Sequence, residues 1–170
     1  MTSTSKMEIV SEVPNFIRVY NDGTIERVEK LPYGVKIFGA YMNHPFFWGS
    51  KPIGFEKVEK FQKTSEFSNL LWEFVYPCAP FGIDNPNVNP LGPMAPNLST
   101  LGCSKMLVTI ASNDRFRDRT VLYYEAVKES EWKGEVELFE EDEEHVYYMF
   151  HPESDKGKKL IKVVADFLHQ

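Results

Sequence analysis

Apolar and polar positions change period several times along the chain, and each period predicts a different element. Over residues 16–28, FIRVYNDGTIERV, Phe16, Arg18 and Tyr20 alternate with Ile17 and Val19 before Asn21-Asp22-Gly23 interrupts. Alternation on both sides of such a break predicts a β-hairpin, with Gly23 supplying the positive φ that a three-residue loop demands. Residues 29–34, with Pro32 and Gly34, read as a break. Val35 to Met42 is a nearly continuous apolar run, the pattern of a parallel strand covered on both faces, and Pro45 ends it.

The period then lengthens. In residues 64–76, Phe67, Leu70, Leu71, Phe74 and Val75 recur at spacings of three and four, which predicts an amphipathic helix capped by Thr64 or Ser65. Six prolines between Pro77 and Pro96 make residues 77–102 an irregular surface loop. Lys105 to Ser112 (KMLVTIAS) reads as a buried strand. Arg117 to Ser130 reads as a helix with Val121, Tyr124 and Val127 on one face. Glu135 to Phe139 is a short strand, and Asp155 to His169 a last helix with Leu160, Ile161, Val164, Phe167 and Leu168 as its stripe. Strand, helix, strand, helix at this pitch predicts an α/β fold with βαβ units and a parallel sheet. The organisation expected is an N-terminal segment over 1–34 carrying the hairpin, and an α/β part over 35–170.

Composition narrows the partners. The 170 residues carry 19 basic and 25 acidic side chains, a net charge of −6. That sign argues against nucleic acid or an anionic membrane as partner, because phosphate binding needs clustered Lys and Arg. No apolar stretch is long enough to span a bilayer, and MTSTSKMEIVSEVP lacks a signal peptide's apolar centre, so a cytoplasmic setting is expected. Cys78 and Cys103 have no zinc-ligand spacing, and the acids of 140–144 lack the ligand order and glycine turn of a calcium loop. No cofactor or metal is expected.

In open α/β sheets functional groups sit just beyond the C-terminal strand ends. Two such loops carry suitable residues: Asn113-Asp114 after KMLVTIAS, and EEDEEHVYYMFHP, holding His145, after the following strand. A carboxylate there can hold an imidazole in one tautomer and stabilise its cation. The plainer reading makes Asp114 an acid opening the helix at Arg117, and His145 a solvated surface side chain. His44, before Pro45, reads as structural. Phe46, Phe47, Trp48, Trp72 and Phe74 could have lined an acyl pocket, but their spacings suit ordinary core packing better. The third member of a hydrolytic triad, a serine on a G-x-S-x-G elbow, is absent. Gly102-Cys103-Ser104-Lys105-Met106 lacks the second glycine and lies directly before a strand, and no HGGG stretch occurs.

NHPFFWG (43–49), PCAPFGIDNPNVNP (77–90), LGCSKMLVTIASND (101–114) and the run from Arg117 to Leu160 resemble the plant carboxylesterase-like, hormone-sensitive-lipase-like branch of the α/β-hydrolases. Residues 12–28 are similar to that family's N-terminal hairpin. The resemblance implies a partial α/β-hydrolase fold in which the HGGG loop and nucleophile elbow, expected between Val28 and Val35, are missing. It implies Asp114 as triad acid and His145 as triad base, with no nucleophile. The loop before His145 reads DEEH where the family has a glycine. The function implied is carboxylic-ester hydrolysis on a small hydrophobic ester or specialised metabolite, with this chain inactive by itself. Two alternatives stand beside it: a non-catalytic binding paralogue, self-associating or pairing with a relative through the exposed 35–42 strand edge, and an unstable fragment without function.

Overall fold

The computed structural model describes residues 8–13, 17–21, 25–27, 36–57 and 62–169. Two compact units divide the chain, Met1–Lys36 and Ile37–Gln170. In the first, β1 (Ile9–Val13), β2 (Ile17–Tyr20) and β3 (Ile25–Arg27) form an antiparallel sheet in that order. Ile17 faces Arg27 and Val19 faces Ile25, so the expected hairpin is present, and β1 adds a strand that the alternation did not announce. Residues 22–24 of the expected turn and the break at 29–34 lie outside the described residues.

The second unit is built on a parallel sheet, β4 (Gly39–Asn43), β5 (Lys105–Ala111) and β6 (Glu135–Glu141), with β5 central. Among the described residues four α-helices accompany it: α1 (Gln62–Val75), α2 (Arg117–Glu129), the single turn α3 (Tyr147–Phe150) and α4 (Asp155–Leu168). β5 is the strand buried on both faces. Met106, Val108 and Ile110 pack with Phe47, Tyr123 and Val127, while Ala111 packs with Tyr147 and Leu160. Its mostly apolar run, interrupted only by the buried Thr109 after Lys105, is what a strand under helices on two sides requires.

β4 differs from its expectation. It starts at Gly39, its residues are half-buried or exposed, and Ile37 and Phe38 just before it are exposed. Among the described residues it pairs only with β5. An edge position, with one neighbour instead of two, explains why an apolar run here does not become a doubly covered strand.

The helices also turn other faces inward than their spacing suggests. α1 begins two residues before Thr64, so neither Thr64 nor Ser65 caps it, and it buries Ser68 and Trp72. Phe67, Leu70, Phe74 and Val75 are exposed, Phe74 at 84%. α2 buries Thr120, Tyr123 and Val127, a stripe at three and seven that includes a polar residue, while Val121 and Tyr124 stay half-buried. α4 buries Leu160 and Phe167 but exposes Ile161 and Leu168; Ser154 caps it by accepting from Gly157 N–H at 3.0 Å. The proline-rich stretch is irregular as expected, with short 3-10 turns at Gly82–Asp84 and Leu98–Thr100. It is not merely a surface loop. Val88 is fully buried with Trp48, Trp72 and Phe116, and Val88 O accepts the Trp48 N–H at 2.9 Å. No described helix is long and apolar enough to cross a membrane.

Candidate active site

Three adjacent parallel strands end together, and each delivers one titratable side chain just past its last residue. β4 is followed by His44, β5 reaches Asp114 three residues on, and β6 reaches His145 four residues on. This is the crevice at the C-terminal strand ends where α/β sheets place their chemistry.

The two sequence-predicted residues meet. His145 Nδ1 lies 2.6 Å from Asp114 Oδ2, and the Asp114 side chain is 2% exposed whereas that of His145 is 38% exposed. The other Asp114 oxygen accepts the Phe116 N–H at 2.9 Å, and the Asp114 carbonyl accepts the Arg117 N–H at 3.1 Å. Asp114 therefore prepares the start of α2 and holds the imidazole at once, one carboxylate oxygen for each. Burial by itself would raise its pKa. The hydrogen bond with His145 and the one from the Phe116 N–H outweigh burial and hold the carboxyl at about 2, so it is ionised at neutrality.

The family glycine missing before His145 does not keep the ring from Asp114. The β5 and β6 loops are tied side by side: Ser112 N–H donates to Glu141 O (2.9 Å) and Asn113 N–H to Glu143 O (3.1 Å). The Asp142 carboxylate accepts from Ser112 Oγ at 2.9 Å and Asn113 Nδ2 at 3.3 Å. Lys156 spans the same loop, donating to Asp142 O and pairing with Glu143 at 3.0 Å. The strain falls one residue later, at Val146, whose φ of 50° is left-handed and unusual for a β-branched side chain.

His44 is the residue that sequence reasoning left as structural. It is 4% exposed, and its ring lies edge-on to His145 with centroids 5.8 Å apart. Its Nδ1 stands 3.7 Å from Asp114 Oδ2 and accepts the Val146 N–H at 3.3 Å. The only sequence hint was its place at a strand end beside two others. Phe116 closes another side of His145 at 5.3 Å and is itself packed by Phe46 and Trp48. Of the aromatics weighed as pocket or core, Phe47, Trp48 and Trp72 are buried and Phe74 is not.

His44, Asp114 and His145 together offer three ligand atoms within 4.8 Å of one another. Ligands of one tetrahedral zinc, at about 2.0–2.1 Å from the ion, stand roughly 3.3 Å apart. The Asp114–His145 separation of 2.6 Å is that of a hydrogen bond, and a backbone N–H already points at His44 Nδ1. The arrangement fits proton handling better than metal binding. The serine hydroxyls near the sheet are engaged elsewhere, Ser104 on Phe38 O, Ser112 on Asp142 and Ser130 on Val127 O. Among the described residues no serine hydrogen-bonds to His145.

No family model matches the chain. Individual plant proteins do. It is 55% identical over 141 residues to the 2-hydroxyisoflavanone dehydratase of Glycyrrhiza echinata, covering 82% of this chain and 42% of that protein. It is 37% identical over 145 residues to probable carboxylesterase 2 of Arabidopsis thaliana, covering 85% and 45%. It is 32% identical over 168 residues to catharanthine synthase of Catharanthus roseus, covering 96% and 49%. The chain belongs to the plant carboxylesterase-like α/β-hydrolase family. It spans less than half the length of these relatives. The three-stranded parallel sheet with its helices is a part of the family's α/β-hydrolase fold.

Proposed function

We propose that this chain carries the acid–base half of a carboxylesterase-type centre, with Asp114 as the orienting acid and His145 as the base, and that it does not hydrolyse esters by itself. The observation that supports this most directly is the 2.6 Å contact between a buried, ionised Asp114 and a partly exposed His145. In that geometry Asp114 accepts the Nδ1 proton, which leaves Nε2 as the basic nitrogen and allows it to take a proton from a hydroxyl and return it to a leaving group. The substrate class is a small hydrophobic ester or a specialised metabolite, as the names of the dehydratase and esterase relatives suggest. Cys78 and Cys103 are unpaired, which suits the cytoplasm.

Ester hydrolysis through an acyl-enzyme needs two further parts, a nucleophilic hydroxyl and donors for the oxyanion. Loss of one oxyanion donor alone costs about 10²–10³ in rate, and without a nucleophile the covalent route is closed. Purified protein is expected to release p-nitrophenol from p-nitrophenyl acetate or butyrate no faster than a heat-killed control. Turnover well above that control, abolished in His145→Ala, would overturn the proposal.

A second reading is favoured by a separate observation. β4 has one strand neighbour among the described residues, and α1 exposes Phe67, Leu70 and Phe74. An unpaired strand edge offers N–H and C=O groups to another chain. On this reading the protein is a non-catalytic binding paralogue that self-associates or pairs with a longer relative through β4. Size-exclusion chromatography with light scattering is expected to show a dimer or larger species. A clean monomer that unfolds cooperatively rules self-pairing out.

A further inference from the structure

We propose that His44 is a positioning residue for His145, its imidazole holding the loop after β6 so that the His145 ring stays on Asp114. The inference rests on the reading of Asp114 and His145 as an acid–base pair, and it adds a third strand to that site.

The end of β4 grips the segment just after His145 in two places. His44 Nδ1 accepts the Val146 N–H, and Asn43 Nδ2 donates to Tyr148 Oη at 2.6 Å. Asn43 is in turn fixed by the Tyr41 hydroxyl, which donates to its Oδ1 at 3.0 Å. The His44 backbone is itself pinned, its N–H donating to Thr109 O at 3.0 Å, which extends the β4–β5 ladder by one residue. Its φ of 40° turns the chain at this point, and Val146, the residue it holds, also adopts a left-handed conformation. Two non-glycine residues in that region, joined by one hydrogen bond, are conformations the surroundings must impose.

The proton inventory of His44 points the same way. Because Nδ1 accepts from Val146, the ring proton of neutral His44 is on Nε2. Nε2 is buried and, among the described residues, has no hydrogen-bond partner. Leaving a buried N–H unsatisfied is unfavourable, and a phenyl ring of similar size would fill the place without that cost. What a phenyl ring cannot do is accept the Val146 N–H. The rings of Tyr147 and Tyr148 pack against His44, with centroids at 5.9 and 5.5 Å.

The pairing geometry makes the dependence specific. His145 has one nitrogen on Asp114, and its own loop supplies no glycine to absorb the turn. If the Val146 N–H is released, the left-handed residue relaxes and the ring beside it is displaced from a carboxylate that is itself fixed by Phe116 N–H. His44→Asn retains an acceptor oxygen where Nδ1 stands, and His44→Phe removes it while keeping the ring.

The test is proton and nitrogen NMR on the full chain. In the unsubstituted protein the His44 ring nitrogens are expected to show an unprotonated Nδ1 and a protonated Nε2. A low-field Nδ1 proton is expected on His145, lost in Asp114→Asn. In His44→Phe the Val146 amide should exchange about tenfold faster, the worth of one hydrogen bond, and the His145 proton should broaden. In His44→Asn both should stay close to the starting protein. If the starting protein shows no low-field His145 proton, the acid–base pairing itself fails. If that proton is present and both it and Val146 exchange are unchanged in His44→Phe, the positioning role is overturned. Should His44→Phe not fold, the tautomer decides: a proton on Nδ1 of His44 overturns the proposal without any variant.

Discussion

Replacing Glu56 by Gln is expected to destabilise the second unit by about 3–5 kcal/mol, the cost of leaving a buried charge without its partner. Arg119 lies on α2 with only 8% of its surface exposed, and Glu56 is buried to the same degree. The pairing is two-pronged: Arg119 Nε donates to Glu56 Oε1 at 2.6 Å and Nη2 to Oε2 at 2.7 Å. Nη2 also donates to the carbonyls of Gly49 and Lys51, and the guanidinium lies over the Trp48 ring at 5.1 Å. Glu56 Oε2 also accepts the Ile53 N–H at 3.0 Å. These contacts fasten the segment after β4 to α2. The backbone there is tight enough that a side chain at Gly54, which has a φ of 44°, would run into the Asp118 carboxylate. With Gln at 56 the hydrogen-bond geometry survives in part but the counter-charge is gone. Urea unfolding should show a lower midpoint with little change in slope, and the thermal midpoint should fall by roughly 10–20 °C. The double variant Glu56→Gln with Arg119→Met should recover much of the loss, because removing both charges also removes their desolvation cost. If Glu56→Gln costs less than about 1 kcal/mol, the typical worth of an exposed pair, the burial assigned to this pair is wrong.

The same residues show what the chain's pattern can and cannot reveal. β5 was legible because a strand buried on both faces leaves a mostly apolar run, and in KMLVTIA five of the seven residues are apolar. Asp114 and His145 were legible because strand–helix alternation fixes where the C-terminal strand ends fall, and the resemblance picked out which residue at each end matters. The inward face of α2 was not. Arg119 and Thr120 are polar by type but buried by partnership, Arg119 through Glu56 and Thr120 through Phe116 O at 2.9 Å, and periodicity counts only the type. α1 fails in the opposite sense. Phe67, Leu70 and Phe74 mark a helical face correctly, but spacing says nothing about whether anything lies against it. Val35 to Met42 misled for the same reason, since an apolar run does not tell a central strand from an edge. For His44 the pattern gave its place at a strand end and no partner. Its contact with Val146 joins positions 102 residues apart in the sequence.

Asp114 sets the second large effect, and its sign follows from where its proton goes. The ordinary aspartate value of 3.8 applies to the unfolded chain, and the folded site holds the group at about 2. A carboxyl with a lowered folded pKa stabilises the fold above the unfolded value, and that contribution disappears as the pH drops through the folded one. At about 1.4 kcal/mol for each pH unit, the gap amounts to about 2 kcal/mol, present in full above pH 4 and gone below pH 2. Asp84 and Glu141 are lowered as well, Asp84 by hydrogen bonds from Ser50 and Glu141 by the one from Lys159, so acid unfolding of the parent chain has several contributors. The difference between the parent and Asp114→Asn isolates the one that belongs to the site. Asparagine can still accept the Phe116 N–H through its oxygen, but its NH₂ faces His145 and requires that ring to carry its proton on Nε2 instead. At pH 7 Asp114→Asn is therefore expected to lose about 2 kcal/mol, and between pH 4 and 2 its stability should fall less steeply than that of the parent. Asp114→Ala should lose more, about 3 kcal/mol, because the buried Phe116 N–H and the His145 Nδ1–H are then both left without an acceptor. Equal pH profiles for parent and Asp114→Asn would mean that the carboxylate is not held by His145, and the proposed acid–base pair would lose its orienting member.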